Sequence, residues 1–320
     1  MAGKLAQLRS VDPSQYIVYV GFVLILIGFS IVLRDDGFLT TRNLLNIVQQ
    51  TTPVTIMAVG MVFVLTAGEI DLSIGPIVAV SALLASLVLR ESFWPLGAAV
   101  GLLAGAAIGA VNGVLVAYVR LPSFLVTLAT MGFLSGVARW ITDLQSVPIT
   151  NDTFNAIFGA GSLFGVPSLL IWTVAIVLVG HFFYHETRYG AHVHAIGDSA
   201  HSARAVGIKV DRVRFSVMVL SGVAAGLAGL LYAGRLHGAR YTLGETDLLT
   251  VIAAVIVGGT RLNGGVGTIF GALIGSLLMG LLNNGLILMG ISAFWQETMI
   301  GAVIILAVGI DKWTRSRRGL

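Results

Sequence analysis

The chain contains no cysteine among its 320 residues. Disulfides and thiolate metal sites are therefore excluded. Charged residues are also scarce, at 11%, where a soluble domain carries about a quarter. A soluble chain of this length would need far more polar surface. No G-x-x-x-x-G-K-[ST] phosphate loop is present either. The one glycine-rich run that invites comparison, GGTRLNGGVG (Gly258–Gly267), lacks the lysine and the hydroxyl that such a loop needs.

What the chain has in abundance is apolar surface and glycine. Apolar residues make up 56%, and mean hydropathy is +0.93. These values predict an all-α, polytopic transmembrane bundle forming one domain over residues 1–320. Glycine, at 40 residues, exceeds the usual share of about 7%. Small residues let helix backbones approach closely in lipid, so the bundle should be tightly packed. The run from Tyr16 to Leu33 lacks a small-residue cleavage site and reads as a retained span.

A helix needs about 20 apolar residues to cross the hydrocarbon. On that rule about ten spans are expected, at 16–33, 44–66, 72–89, 94–118, 122–141, 167–184, 213–234, 246–260, 267–290 and 295–311. Lysine and arginine collect on the cytoplasmic side of membrane proteins. With the N-terminus inside, thirteen of the 19 basic residues fall inside and six outside. Both termini and the polar stretch 185–214 are then cytoplasmic. The net charge of +4 reflects these loops and gives no reason to expect nucleic acid. GAAIGAVNGVLV (Gly105–Val116) echoes GSLLMGLLNNGLIL (Gly275–Leu288) on spans of opposite direction. That arrangement is an inverted repeat, and such repeats place a substrate path at their interface.

Three stretches then carry a resemblance: Met57–Ser86, Ala195–Leu236, and Ile252–Gln296 closed by Ala307–Asp311. Together they resemble the integral-membrane permease subunits of ATP-binding-cassette importers for ribose and related simple sugars. The likeness covers residues 40–311. It implies an inner-membrane permease that works with separate ATPase subunits, a periplasmic sugar-binding protein and a second permease copy, identical or paralogous. It also implies that the chain is no enzyme and holds no cofactor, ATP being bound by the partner subunit.

Within 185–214, the segment Ser199–Ile208 matches the position of the family's short coupling helix, the element that docks on the ATPase. The expected residues are Asp198, Ala200, Ala203, Arg204, Gly207 and Lys209. Ala200, Ala203 and Gly207 would offer a small face to a groove, while Arg204 and Lys209 supply anchoring charge. Asp198 or Ser199 would cap the start, and Gly207 would end the helix left-handed. The family's glutamate followed by alanines is missing, with Ala200, His201 and Ser202 in its place. A plain basic loop facing anionic lipid is the bland alternative. Five histidines (His181, His185, His192, His194, His201) lie in or beside this loop, but no carboxylate set completes a metal site.

The other candidates lie at membrane depth. GEIDLSIGP (Gly68–Pro76) breaks the apolar pattern through Gly68, Glu69, Asp71 and Gly75. A carboxylate costs about 2.5–3.5 kcal/mol at a helix centre, so both acids are expected to avoid mid-lipid, beside a helix capped by Ser73; either a broken helix lines the path and the acids gate or shape it, or this is a tight cytoplasmic turn with capping acids. Pro76 then falls in the first turn, where its missing N–H costs nothing. Asn112, Asn283, Asn284, Gln49, Gln296 and Ser73 are the candidate path residues, since sugars are read by uncharged polar groups. The bland reading of the amides is interhelical glue. Other cargoes on the same architecture are a nucleoside, a furanosyl signal or a branched amino acid. An ion-coupled secondary transporter is the competing class.

Overall fold

The computed structural model describes residues 14–309, apart from 293, 296, 304 and 306–308. Helices α1 (Ser14–Val32), α2 (Thr41–Thr66), α3 (Ile74–Leu89), α4 (Trp94–Ala117) and α5 (Ser123–Thr142) come first. A polar excursion follows, with the one-turn helix α6 (Asp152–Asn155) and a π-turn at Ala156–Ala160. Then come α7 (Ser168–His185), α8 (Arg188–Ala205), α9 (Val210–Leu236), α10 (Asp247–Val257) and α11 (Ile269–Leu288). Residues 294–295 and 297–303 are again helical.

Nine expected spans coincide with helices to within three residues at each end. Among the described residues, six helices are long and apolar enough to cross a membrane. The helices α3 and α10, at 16 and 11 residues, are shorter than a crossing needs, as is the described apolar part of α1.

The core forms around α2, buried from Thr51 to Thr66 without interruption. Hydroxyls stitch it to its neighbours: Thr52 to Thr173 of α7 at 2.8 Å, Thr55 to Ser276 of α11 at 2.7 Å, and Thr66 to Tyr184 of α7 at 2.7 Å. Each pair satisfies two polar groups that lipid would leave bare. The helices α4 and α9 pack through glycine. A Cβ on Gly105 would overlap the Gly222 carbonyl, and one on Gly222 the Gly105 carbonyl. The abundant glycine thus allows backbone contact, as expected of membrane packing.

At one end of the bundle, Trp94 meets Phe158 of the π-turn, and Gly234 of α9 packs on the same turn. There two-residue strands β1 (Val147–Pro148) and β4 (Gly238–Ala239) pair antiparallel, Val147 opposite Ala239. A second pair, β2 (Ser162–Leu163) and β3 (Val166–Pro167), forms a small hairpin. The opposite end carries α8.

Candidate functional site

The stretch 185–214 is mostly helix, not an open solvated loop. Thr187 caps α8, accepting from the Gly190 N–H. The helix breaks at Ser199, whose φ of −161° and ψ of 102° are extended. Ser199 Oγ accepts from the Ser202 N–H at 3.2 Å and so caps the second segment. That segment ends in a Schellman arrangement: Ile208 N–H donates to the Ala203 carbonyl and Gly207 N–H to the Arg204 carbonyl, both at 3.0 Å. Gly207 has φ +88°, the left-handed conformation that favours glycine. A six-residue turn of helix is thereby fixed at both ends.

Its orientation corrects one expectation. Ala203 is buried and Ala200 half-buried against the bundle itself. The two alanines pack internally beside Ile208, while Gly207 stays exposed with no atom within 4 Å of a Cβ position. The outward face carries His201, Ser202, Ala205 and Val206, with Val206 77% exposed. Arg204 pairs with Asp211 of α9, so its charge is already partly answered. Lys209 is exposed. Burial pushes the Tyr189 hydroxyl above its usual range, opposed by its bond to Ser216; it stays neutral and ties α8 to α9. No group of three or more histidine or acidic side chains among the described residues is placed to hold a metal.

Asp198 ends the first segment beside Gly265, and three chain segments meet there without side chains. The Thr66 carbonyl, ending α2, accepts from Gly265 N–H at 2.9 Å. A Cβ on Gly197 would overlap both of those atoms. One on Gly264 would lie 3.0 Å from Gly197 Cα and 3.1 Å from Gly68 Cα. His194 Nδ1 lies 2.9 Å from the Gly265 carbonyl. The α8 segment, the GGTRLNGGVG connection and the GEIDLS break are thus joined backbone to backbone.

The break runs from Gly68, at φ +78°, to Ser73. Asp71 is fully buried within the protein. Burial is tolerated because the carboxylate accepts from Ser73 N–H (2.9 Å), Ser73 Oγ (2.6 Å) and Ser221 Oγ of α9 (2.7 Å). Ser73 stands at the N-cap position, yet its side chain makes no capping bond; it is spent on Asp71. Pro76 does fall in the first turn of α3. Glu69 is also buried and lies 2.8 Å from Arg214 Nε. A cavity of about 500 Å³ opens beside it, lined by Glu69, Arg120, Arg204, Arg214 and Ser123 among others.

Of the polar path candidates, Asn112 and Ser73 are brought together, while Asn283, Asn284 and Gln49 lie apart from them. Asn112 is fully buried, its amide donating to Ser73 Oγ at 2.9 Å and its carbonyl accepting from Thr130 at 2.7 Å. Asn284 exchanges two hydrogen bonds with Asn43. Both are interhelical glue. Asn283 Oδ1 is buried without a partner among the described residues. Gln49 lines a separate cavity of about 560 Å³ with Asp36, Arg42, Asn43 and Asn46. Gln296 and both chain termini lie outside the described residues.

Comparison with known proteins now places the chain. The family described as "Branched-chain amino acid transport system / permease component" matches residues 43–308. The chain belongs to this family. Among curated relatives of this permease, the ribose import permease protein of Escherichia coli (strain K12) is 42% identical over 87% of the chain and 88% of the relative. The L-arabinose ABC transporter permease protein of Azospirillum brasilense is 37% identical over 93% and 87%. The xylose transport system permease protein of Escherichia coli (strain K12) is 30% identical over 99% and 96%. No solved structure matches the chain. A permease component moves solute and catalyses no covalent reaction, which fits a site made of packing, breaks and ion pairs.

Reading the permease sequence alone misses Gly197, Arg214 and Ser221. Gly197 is one of 40 glycines, and its role depends on partners 131 and 68 positions away (Thr66 and Gly265). Arg214 and Ser221 had a weak signal available. A buried acid needs donors, and both stand on the helix that follows the polar stretch.

Proposed function

We propose that the chain is the membrane permease subunit of an ATP-binding-cassette importer for a simple, ribose-like sugar. Separate ATPase subunits drive it, and a periplasmic binding protein delivers the cargo. The sugar reading rests on the relatives named for ribose, arabinose and xylose. The family's description mentions branched-chain amino acids and supplies the second reading. Ten crossings of the inner membrane put both termini and α8 in the cytoplasm. In that count α3 and α10 are partial crossings completed by the breaks before them.

The observation that carries the mechanism is the backbone junction of Gly68, Gly197 and Gly264. A motor pushing on Ser199–Gly207 moves a short helix clamped at both ends. Backbone contacts have no side-chain rotamers to absorb the displacement, so it passes to the Gly68 break. There it bears on a path element rather than dissipating in a flexible loop. The docking face is His201, Ser202, Ala205 and Val206, with Lys209 beside it. Asp198 holds the junction, and Arg204 holds the turn onto α9 through Asp211.

A second permease copy fits the exposed face of α5. Gly132 and Gly136 there have no atom within 4 Å of a Cβ position, with Phe133 and Trp140 exposed beside them. Glycine at that spacing is a helix-association pattern in lipid. To test the reading, the purified chain is combined with its cognate ATPase and binding protein, and uptake of labelled ribose is challenged with arabinose, xylose and leucine. Competition by the pentoses alone supports it. Competition by leucine alone moves the cargo to the amino-acid class.

A further inference from the structure

The break before α3 has a counterpart before α10. Gly68-Glu69-Ile70-Asp71-Leu72 and Gly244-Glu245-Thr246-Asp247-Leu248 agree at four of five positions. Each follows a long helix, α2 of 26 residues or α9 of 27, and precedes a short one. The correspondence extends to conformation and chemistry. Gly68 and Gly244 adopt φ +78° and +76°. Glu69 Oε1 lies 2.8 Å from Arg214 Nε, and Glu245 Oε1 lies 3.4 Å from Arg139 Nη2. Asp71 is bonded to Ser221 of α9, and Asp247 faces Tyr232 of the same helix.

The two pairs lie toward opposite ends of the bundle. Glu69 and Arg214 line the cavity that Arg204 of α8 also lines. Arg139 is in the last turn of α5, its guanidinium 5.9 Å from the Tyr241 ring centroid, just past the β1–β4 pair. The breaks nevertheless touch each other. A Cβ on Gly75 would stand 2.5 Å from the Gly244 carbonyl oxygen, and one on Gly244 would stand 2.8 Å from the Gly75 carbonyl oxygen. Movement of one break therefore displaces the other directly.

The pairs differ in strength. The side chains of Glu69 and Arg214 are 9% and 29% exposed, those of Glu245 and Arg139 52% and 51%. Screening by water weakens the exposed pair far more than the buried one. We propose that Glu69–Arg214 and Glu245–Arg139, both formed here, are opposed latches on a single path, coupled through Gly75 and Gly244 so that loosening one tightens the other. This rests on the permease reading given above. In the present structure the latch at the α8 end is the tighter one. The four charged residues are positioning residues; none is required to touch cargo.

The absence of native cysteine makes a direct test possible, since one introduced thiol reports without background. The full-length chain in lipid nanodiscs carries Ile70→Cys, at the buried latch, or Thr242→Cys, at the exposed one. A maleimide reagent is the probe, and rates are compared with and without Glu69→Gln or Glu245→Gln. Expected is a several-fold rise in labelling at the end whose latch is neutralised and a several-fold fall at the other. Combining Glu69→Arg with Arg214→Glu should return both rates toward the parent's.

A change confined to the mutated end, a rise at both ends, or no change in either overturns the proposal. If Glu69→Gln does not fold, the Glu245→Gln arm decides alone, because that pair is half exposed. Labelling needs neither cargo nor ATPase, so failure here is separable from failure of the importer reading. Opposed labelling changes in a chain that transports nothing would keep the latches and reject the importer.

Discussion

Gly197→Ala is the substitution to which the coupling mechanism is most sensitive. The added methyl would overlap the Thr66 carbonyl oxygen and the Gly265 nitrogen. Both are backbone atoms, and no rotamer change relieves the overlap. Overpacking a well-filled site costs about 1–3 kcal/mol. Prising the segments apart also lengthens the 2.9 Å bond from Gly265 N–H to the Thr66 carbonyl, worth about 0.5–1.5 kcal/mol net. Together the junction is disfavoured by roughly 2–4 kcal/mol, while the α2 core and the α4–α9 packing are untouched. In proteoliposomes with ATPase and binding protein, ATP hydrolysis should persist while uptake falls more than tenfold. Gly28→Ala, on the exposed face of α1 and with no atom within 4 Å of the added methyl, is the control and should match the parent. Parental uptake per ATP in Gly197→Ala would refute the reasoning, because the junction would then transmit nothing.

Three further outcomes follow from the same contacts. Val206→Asp alters only an exposed side chain, so it should leave the melting temperature within a degree or two yet abolish co-purification of the ATPase; retained association would move the docking face elsewhere. The pair Gly207→Asp and Arg204→Glu should likewise break association and uptake, through loss of the left-handed turn and of the Asp211 pair, and intact uptake would count against the α8 assignment. Asp71→Asn puts an NH₂ where three donors converge, leaving at least one of them unmet at about 1–3 kcal/mol, and a fall in melting temperature of several degrees is expected; an unchanged value would mean the buried bonds contribute little.

The nine helices that match expected spans were legible because each holds a long apolar run, and length alone locates such runs; the polar first part of α8, 188–198, carries no such signal. The caps of the α8 segment were legible too, since Ser199 and Gly207 act through neighbours three to five residues away. What periodicity could not show is anything settled by distant partners. Asp71 looks costly in sequence; Ser73 satisfies one carboxylate oxygen locally, but the other is met by Ser221, 150 residues on. Ala203 looked free for docking and instead packs on the core. Asn112 and Asn284 suited a sugar path by residue type, and only their partners Ser73, Thr130 and Asn43 show them to be spent on packing. The paired strands between 147 and 239 are two residues long, too short for any alternation to register.

The central claim is that this bundle transports only when an external motor acts on α8. The most direct measurement is solute accumulation in sealed vesicles containing the chain alone, then with its ATPase, binding protein and internal ATP. No uphill accumulation is expected in the first case, and ATP-dependent accumulation in the second. Concentrative uptake by the chain alone would contradict it.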